Sequence, residues 1–222
     1  MLPSSTVENY LKALYQAEST IEKGALVPMG QLATAVGVAP GTATTMVKAL
    51  AESGLVEYEP YLGVRLSAAG TKLAALVLRR HRLIEQFLVE IMGMSWAEVH
   101  DDAEQLEHVV SDRLVERMDA MLGHPSVDPH GDPIPTADGD VDQRQYHSLL
   151  TCPLGTQVRV ARVADQDASF LLFLEAQQLK PGQSIEVEAR DSAADSVQLR
   201  TGDERRITLG TNAASKVLIE EV

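Results

Sequence analysis

The segment His100-Asp101-Asp102-Ala103-Glu104-Gln105-Leu106-Glu107-His108 sets two imidazoles and two carboxylates at i, i+4, i+7 and i+8. At about 100° per residue, His100, Glu104, Glu107 and His108 share roughly one third of a helix circumference. Such side chains are rarely packing residues, because each needs its own partner once buried. A solvated charged stripe would explain the glutamates but not the two histidines, and interleaved Val99, Leu106, Val109 and Val110 give the same segment an apolar side. Upstream, His81 and Glu85 repeat the i, i+4 spacing, although Arg79-Arg80-His81-Arg82 also reads as a simple basic run. Together these residues point to one or two transition-metal sites. The donors are nitrogen and carboxylate oxygen without thiolate, which suits Mn²⁺ or Fe²⁺ better than a closed structural zinc site. The general affinity order still lets Zn²⁺, Co²⁺, Ni²⁺ or Cu²⁺ compete in vitro.

The elements that must hold these residues follow from spacing. Ser5-Thr6-Val7-Glu8 has capping-box form and precedes Tyr10, Leu11, Leu14 and Tyr15, predicting a first helix over 6–19. A short helix over 31–36 stops at Gly37, and a Val38-Ala39-Pro40-Gly41 turn leads to a third helix over 42–51, closed by Gly54. This is a helix-turn-helix pattern. Leu55–Tyr58 and Val64–Leu66 alternate about a turn at 59–63, giving the hairpin of a winged helix. Ser67 opens a long helix to about Gly93, and a second capping box, Ser95-Trp96-Ala97-Glu98, opens another to about Leu122. Both carry more apolar residues than one internal face requires, which predicts a helix-mediated homodimer. Pro, Gly and Asp crowd residues 124–146 and mark an irregular connection. Beyond it, 157–163, 184–189, 197–199 and 217–219 read as strands, with Leu179-Lys180-Pro181-Gly182 as a turn. The fold class is therefore mainly α with a small all-β C-terminal domain. The expected division is a winged helix-turn-helix over 1–66, a helical metal-binding and dimerisation domain over 67–123, a linker over 124–147, and an SH3-like β barrel over 148–222.

The net charge of -13 is unevenly spread. Residues 1–80 carry seven Lys/Arg against six Asp/Glu, 81–147 carry four against fifteen, and 148–222 carry eight against eleven. The acidity belongs to the segment holding the candidate ligands, where divalent cations would offset it. The first third is free of that repulsion, which matters if it approaches phosphate. No apolar run reaches the ~20 residues of a membrane span, and Met1–Thr6 lacks the basic and apolar regions of a signal peptide. With Cys152 as the single cysteine, a disulfide framework is excluded, and the expected location is the cytoplasm. Cys152 reads as a small buried apolar residue, and His124, His130 and His147 as ordinary loop histidines.

On the third helix, Thr42, Thr44, Thr45 and Lys48 are candidates for double-stranded DNA: hydroxyls reach base edges or phosphate, and methyls meet thymine methyls. Without the hairpin they would read as the solvent face of a three-helix core. With it, Tyr61 and Arg65 join them as wing contacts.

Arg80-His81-Arg82-Leu83-Ile84-Glu85, then Val99 through Asp112, then Asp132-Pro133-Ile134-Pro135, closely resemble the metal-dependent regulators of the diphtheria toxin repressor type, including their manganese-sensing branch. The resemblance spans nearly the whole chain and implies a winged helix, a helical metal-binding and dimerisation domain, and an SH3-like (FeoA-like) β domain. Carried over position by position, it implies a regulatory site at Asn9, Glu104, Glu107 and His108. It implies a second site at His81, Glu85 and His100, completed by Asp167, with Asp165 or Gln166 as substitutes because Phe170 stands where the family has Gln. Asn9 and Glu104 replace the Met and Cys of the iron-sensing pattern, exchanging soft sulfur for harder donors and favouring Mn²⁺ over Fe²⁺, with Zn²⁺, Co²⁺ or Cd²⁺ able to substitute in vitro. The implied activity is that of a homodimeric, non-enzymatic repressor of manganese or iron uptake genes. Metal held by the first helix and the 100–108 segment would set how two recognition helices meet a palindromic operator. Two rivals stand beside it. A metal-dependent hydrolase would need a nucleophile motif or phosphate loop that the chain lacks, and a winged-helix regulator of an organic ligand would leave the His/Glu stripe merely structural.

Overall fold

The computed structural model describes residues 4–22, 24–142 and 144–221. Met1, Leu2 and Pro3, on which part of the N-terminal reading rests, lie outside the described residues. The chain forms two compact units, one of residues 1–81, 107–109 and 135–141, the other of 82–106, 110–134 and 142–222.

The first unit contains α1 (Ser5–Glu18), α2 (Met29–Ala35), α3 (Pro40–Glu52), the strands β1 (Val56–Glu59) and β2 (Gly63–Leu66), and α4 (Ala68–Glu90) as far as His81. Ser4, one residue earlier than the capping box predicts, caps α1 by accepting from the Val7 N–H. Pro40 opens α3 at a position where a missing N–H and a fixed φ do no harm. Leu11 and Leu14 of α1, Leu32 of α2, Val47 and Leu50 of α3 and Val64 of β2 close one core, and each fully buried side chain contributes about 1.5–3 kcal/mol. β1 and β2 pair antiparallel with Glu57 opposite Arg65, completing the winged helix-turn-helix.

The second unit takes up α4 at Arg82 and adds α5 (Val99–Leu106) and α6 (Asp112–Met121). One continuous helix over 95–122 is therefore not what forms. Glu107–Ser111 interrupts it, Ser111 adopting extended backbone as the N-cap of α6. Leu83, Ile84 and Leu88 of α4 pack with Val99 and Ala103 of α5 and Val115 of α6 in two small cores. Then follow β3 (His147–Ser148), β4 (Gln157–Val163), α7 (Ala168–Ala176), β5 (Ser184–Asp191), β6 (Ser196–Thr201), β7 (Arg206–Gly210), α8 (Thr211–Ser215) and β8 (Val217–Glu221). Every strand pairing is antiparallel, in the order β3-β8-β4-β5-β6-β7. This is a small SH3-like sheet whose ends, β3 and β7, do not pair with each other among the described residues, so a closed barrel is not what forms. Its core, from Val158 to Ile219, also takes in Trp96.

Candidate metal centre

In the first unit, the helix break frees Glu107 and His108 from α5. Glu107 is fully buried, and both of its carboxylate oxygens accept from Lys12 Nζ at 2.9 Å. His81 Nδ1 lies 2.6 Å from Glu107 Oε2 and donates to it, since a carboxylate can only accept. His108 Nδ1 donates to Glu8 Oε2 at 2.7 Å, while its Nε2 stands 3.4 Å from Glu107 Oε1. Arg80 donates to the Glu107 carbonyl at 3.0 Å and pairs with Glu8 at 3.5 Å. Burial pushes the Glu107 carboxyl up, but the His81 hydrogen bond and the Lys12 charge outweigh it and hold the group below its ordinary range. Two carboxylates, two cations and two imidazoles thus converge with their charges balanced. Asn9 is exposed on α1; the buried α1 carboxylate is its neighbour Glu8. Glu8 faces inward to His108 rather than closing a capping box. The reading from residue types missed Glu8, Lys12 and Arg80. The α1 spacing of Glu8 and Lys12, i and i+4, was the available signal.

In the second unit, Glu85 is fully buried, with its Oε1 3.2 Å from His100 Nδ1. Glu104 Oε1 is 3.8 Å from His100 Nε2, both side chains being partly exposed. Asp167 is the exposed N-cap of α7, accepting from the Phe170 N–H at 3.1 Å and from the Ser169 hydroxyl. Asp165 pairs with Lys216 at 2.7 Å, and Gln166 donates to Asp132 at 2.8 Å. His124 and His147 lie exposed, as loop histidines do. His130 does not: it is fully buried, stacked on Trp96, and stands 3.8 Å from Glu85 Oε2.

On α3, Thr42, Thr45 and Lys48 are exposed and Thr44 is half-buried. The Thr44 and Thr45 hydroxyls donate back to the Pro40 and Gly41 carbonyls at 2.8 and 3.0 Å. Tyr61 stands fully exposed at the hairpin tip with φ 66°, a left-handed conformation uncommon for a side-chain-bearing residue. Arg65 is held by Glu57 across the ladder at 2.7 Å.

Residues 3–64 match the N-terminal DNA-binding domain of iron-dependent repressors, 67–136 their metal-binding and dimerisation domain, and 147–221 a FeoA domain. The diphtheria toxin repressor of Corynebacterium efficiens is 34% identical over 160 residues, 70% of this chain and 68% of that protein. The chain belongs to the iron-dependent repressor family. The iron-dependent repressor IdeR of Mycobacterium leprae is 27% identical over 98% of this chain and 97% of its own length. A solved manganese-dependent transcriptional repressor in complex with manganese is 38% identical, covers 97% of this chain and all of its own, and superposes with a TM-score of 0.86. ScaR with bound Cd²⁺ gives a TM-score of 0.79 at 31% identity, over 99% of this chain and all of its own. The protein is thus a metal-dependent DNA-binding repressor, not an enzyme, and carries the family's dimerisation domain. Among the described residues, no helix is long and apolar enough to cross a membrane.

Proposed function

We propose that this repressor answers to Mn²⁺ in the cytoplasm, binds a palindromic operator as a homodimer, and shuts off manganese uptake genes. The observation that carries this reading is the tie within the first unit between α1, which belongs to the DNA-binding element, and the Glu107–His108 segment. The donor set fits the ion: buried Glu107 is held ionised, and His108 and Glu8 add an imidazole and a second carboxylate. The ligands proposed are Asn9, Glu104, Glu107 and His108 with Glu8 added from α1, and His81, Glu85 and His100 at a second site with Asp167 as its β-domain member. Manganese(II), when bound, supplies two positive charges to groups that otherwise lean on Lys12 and Arg80. Glu107 and Glu8 would hold the ion in place of Lys12 and Arg80, and the position of α1 would then depend on its ligands. Because α1 packs with α2, α3 and the hairpin, that position governs how α3 and the wing are presented.

Thr42, Thr44, Thr45 and Lys48 read the major groove, while Tyr61 and Arg65 contact the backbone from the wing. Two such heads must stand about one or more DNA turns apart to engage both half-sites. The coupling is reciprocal, so operator DNA tightens metal binding by the factor that metal tightens DNA binding. Iron(II) is the alternative occupant, favoured by the names of the sequence relatives; the hard donors Asn9 and Glu104 support manganese. The test is selection of random duplexes by the protein loaded with Mn²⁺ or, anaerobically, with Fe²⁺. The expected result is recovery of an inverted repeat at lower Mn²⁺ than Fe²⁺, lost with chelator. Equal recovery in chelator would refute metal control.

A further inference from the structure

The wing is fastened to α1 by a side chain that the metal centre does not use. β2 has two edges, and β1 covers one of them. The Ser67 N–H donates to the Leu55 carbonyl at 3.0 Å, so alternation along the strand turns the N–H groups of Leu66 and Val64 away from β1. Both find partners on the other edge. Val27 and Val64 exchange backbone hydrogen bonds at 2.8 and 3.0 Å. Gly63 permits that approach, since a Cβ there would stand 2.5 Å from the Val27 carbonyl oxygen. At Leu66 a side chain takes the place of the neighbouring backbone: its N–H donates to Glu18 Oε1 at 2.6 Å, across 48 residues of chain.

Glu18 is the last residue of α1, which also carries Glu8, Asn9 and Lys12. At 1.5 Å of rise per residue, about 15 Å of helix separates Glu8 from Glu18. Leu11, Leu14 and Ala17 are buried along that length, and a hydrogen-bonded helix passes a displacement from one end to the other. The receiving end is tied down as well. Leu66 is buried, and the Ser67 hydroxyl donates to the Gly54 carbonyl at 2.7 Å and accepts from the Gly70 N–H at 3.1 Å. A shift of Glu18 therefore moves the strand end next to Arg65, and with it the hairpin that bears Tyr61. Burial pushes the Glu18 carboxyl up, against the Leu66 N–H and the Arg65 charge, which draw it down. An apolar residue would fill this place without that desolvation. The acceptor oxygen is what sets Glu18 apart.

We propose that Glu18 is a positioning residue that carries the setting of α1 to the wing, so that metal occupancy reaches Tyr61 and Arg65 as well as α3. This role rests on the metal-controlled repressor reading and adds the wing to what the ion governs.

The test measures operator affinity in Mn²⁺ and in chelator, by anisotropy of a labelled duplex taken from the selection. Full-length parent, Glu18→Ala and Glu18→Gln are compared, and the ratio of the two affinities is the coupling factor. Glu18→Ala should lower that factor about tenfold, the size of one hydrogen bond to a charged group. Its Mn²⁺ binding without DNA, read by competition with a fluorescent chelator, should match the parent's. Glu18→Gln keeps an acceptor for the Leu66 N–H and should recover most of the loss. A folded Glu18→Ala with the parent's coupling factor would overturn the proposal, as would an equal loss in DNA-free Mn²⁺ binding. Amide hydrogen exchange on the parent serves should Glu18→Ala fold poorly. There Mn²⁺ should slow exchange over 63–66 together with α1, and slowing confined to α1 would overturn the role of Glu18. A parent whose operator affinity ignores Mn²⁺ would refute the repressor reading itself, a result distinct from all of these.

Discussion

Replacing Lys12 by Met should tighten Mn²⁺ binding. Lys12 Nζ lies 2.9 Å from both oxygens of buried Glu107, so its charge occupies the carboxylate that the ion must use. An ion about 2.1 Å from a Glu107 oxygen would stand within about 5 Å of that ammonium. At an effective dielectric of about 20, a double and a single positive charge at about 5 Å repel by about 7 kcal/mol. Lys12 can swing toward solvent, and if only a third of the repulsion survives, about 2 kcal/mol remains, a ~30-fold change in affinity. The same substitution weakens the metal-free protein, because removing one partner of a buried ion pair costs about 3–5 kcal/mol, less here because His81 still donates to Glu107. Competition against a fluorescent chelator measures the first effect, and urea unfolding with and without Mn²⁺ measures the second. Tighter Mn²⁺ binding with a larger metal-induced rise in the urea midpoint is expected. Unchanged or weaker Mn²⁺ binding by folded Lys12→Met would refute the view of Lys12 as a resident counter-charge.

Gly131→Ala should destabilise the protein by roughly 2 kcal/mol or more, since its backbone is left-handed and the added Cβ strikes the Ala161 carbonyl; the urea midpoint reports this. The buried Cys152 thiol is pushed up, first by burial and against the opposing Arg190 charge, so it stays protonated and should react with a thiol reagent at pH 8 only as fast as the protein unfolds. Its folded pKa exceeds the unfolded one, so any stability it lends is present below about pH 8.5 and fades as pH rises through the folded value. Glu107 behaves oppositely: its folded pKa is lowered, so its contribution is present above the unfolded value of about 4.3 and is lost as pH falls through the folded one. The urea midpoint of metal-free Glu107→Gln should therefore depend less on acid over that window than the parent's.

Local signals carried the DNA-binding half of the fold. Pro40 after a Gly37 stop, and a hairpin directly after α3, are decided within a few residues, and α1 to β2 follow them. The ligand residues were legible by type, since histidines among glutamates are hard to explain as surface. Their geometry was not. A uniform helical stripe over 100–108 overlooks the break at Glu107–Ser111, which depends on Ser111 starting a new helix and on Glu107 being held by Lys12 and His81, contacts distant in sequence. The same limit hid the burial of Asp128 and His130: Pro and Gly mark the loop, but only tertiary packing against Trp96 and β4 buries it. Ala168–Ala176 forms a helix that period-two reading passed over, and its cap is Asp167, a residue that alignment offered as a ligand.

The most direct measurement is fluorescence anisotropy of a labelled, selected duplex titrated with full-length protein, in Mn²⁺ and in chelator, for the parent and for Glu107→Ala/His108→Ala. Metal control through the α1-facing ligands predicts tight binding by the parent in Mn²⁺ alone, and weak binding by the folded variant in both conditions. Equal affinity of parent and variant, indifferent to chelator, would contradict it.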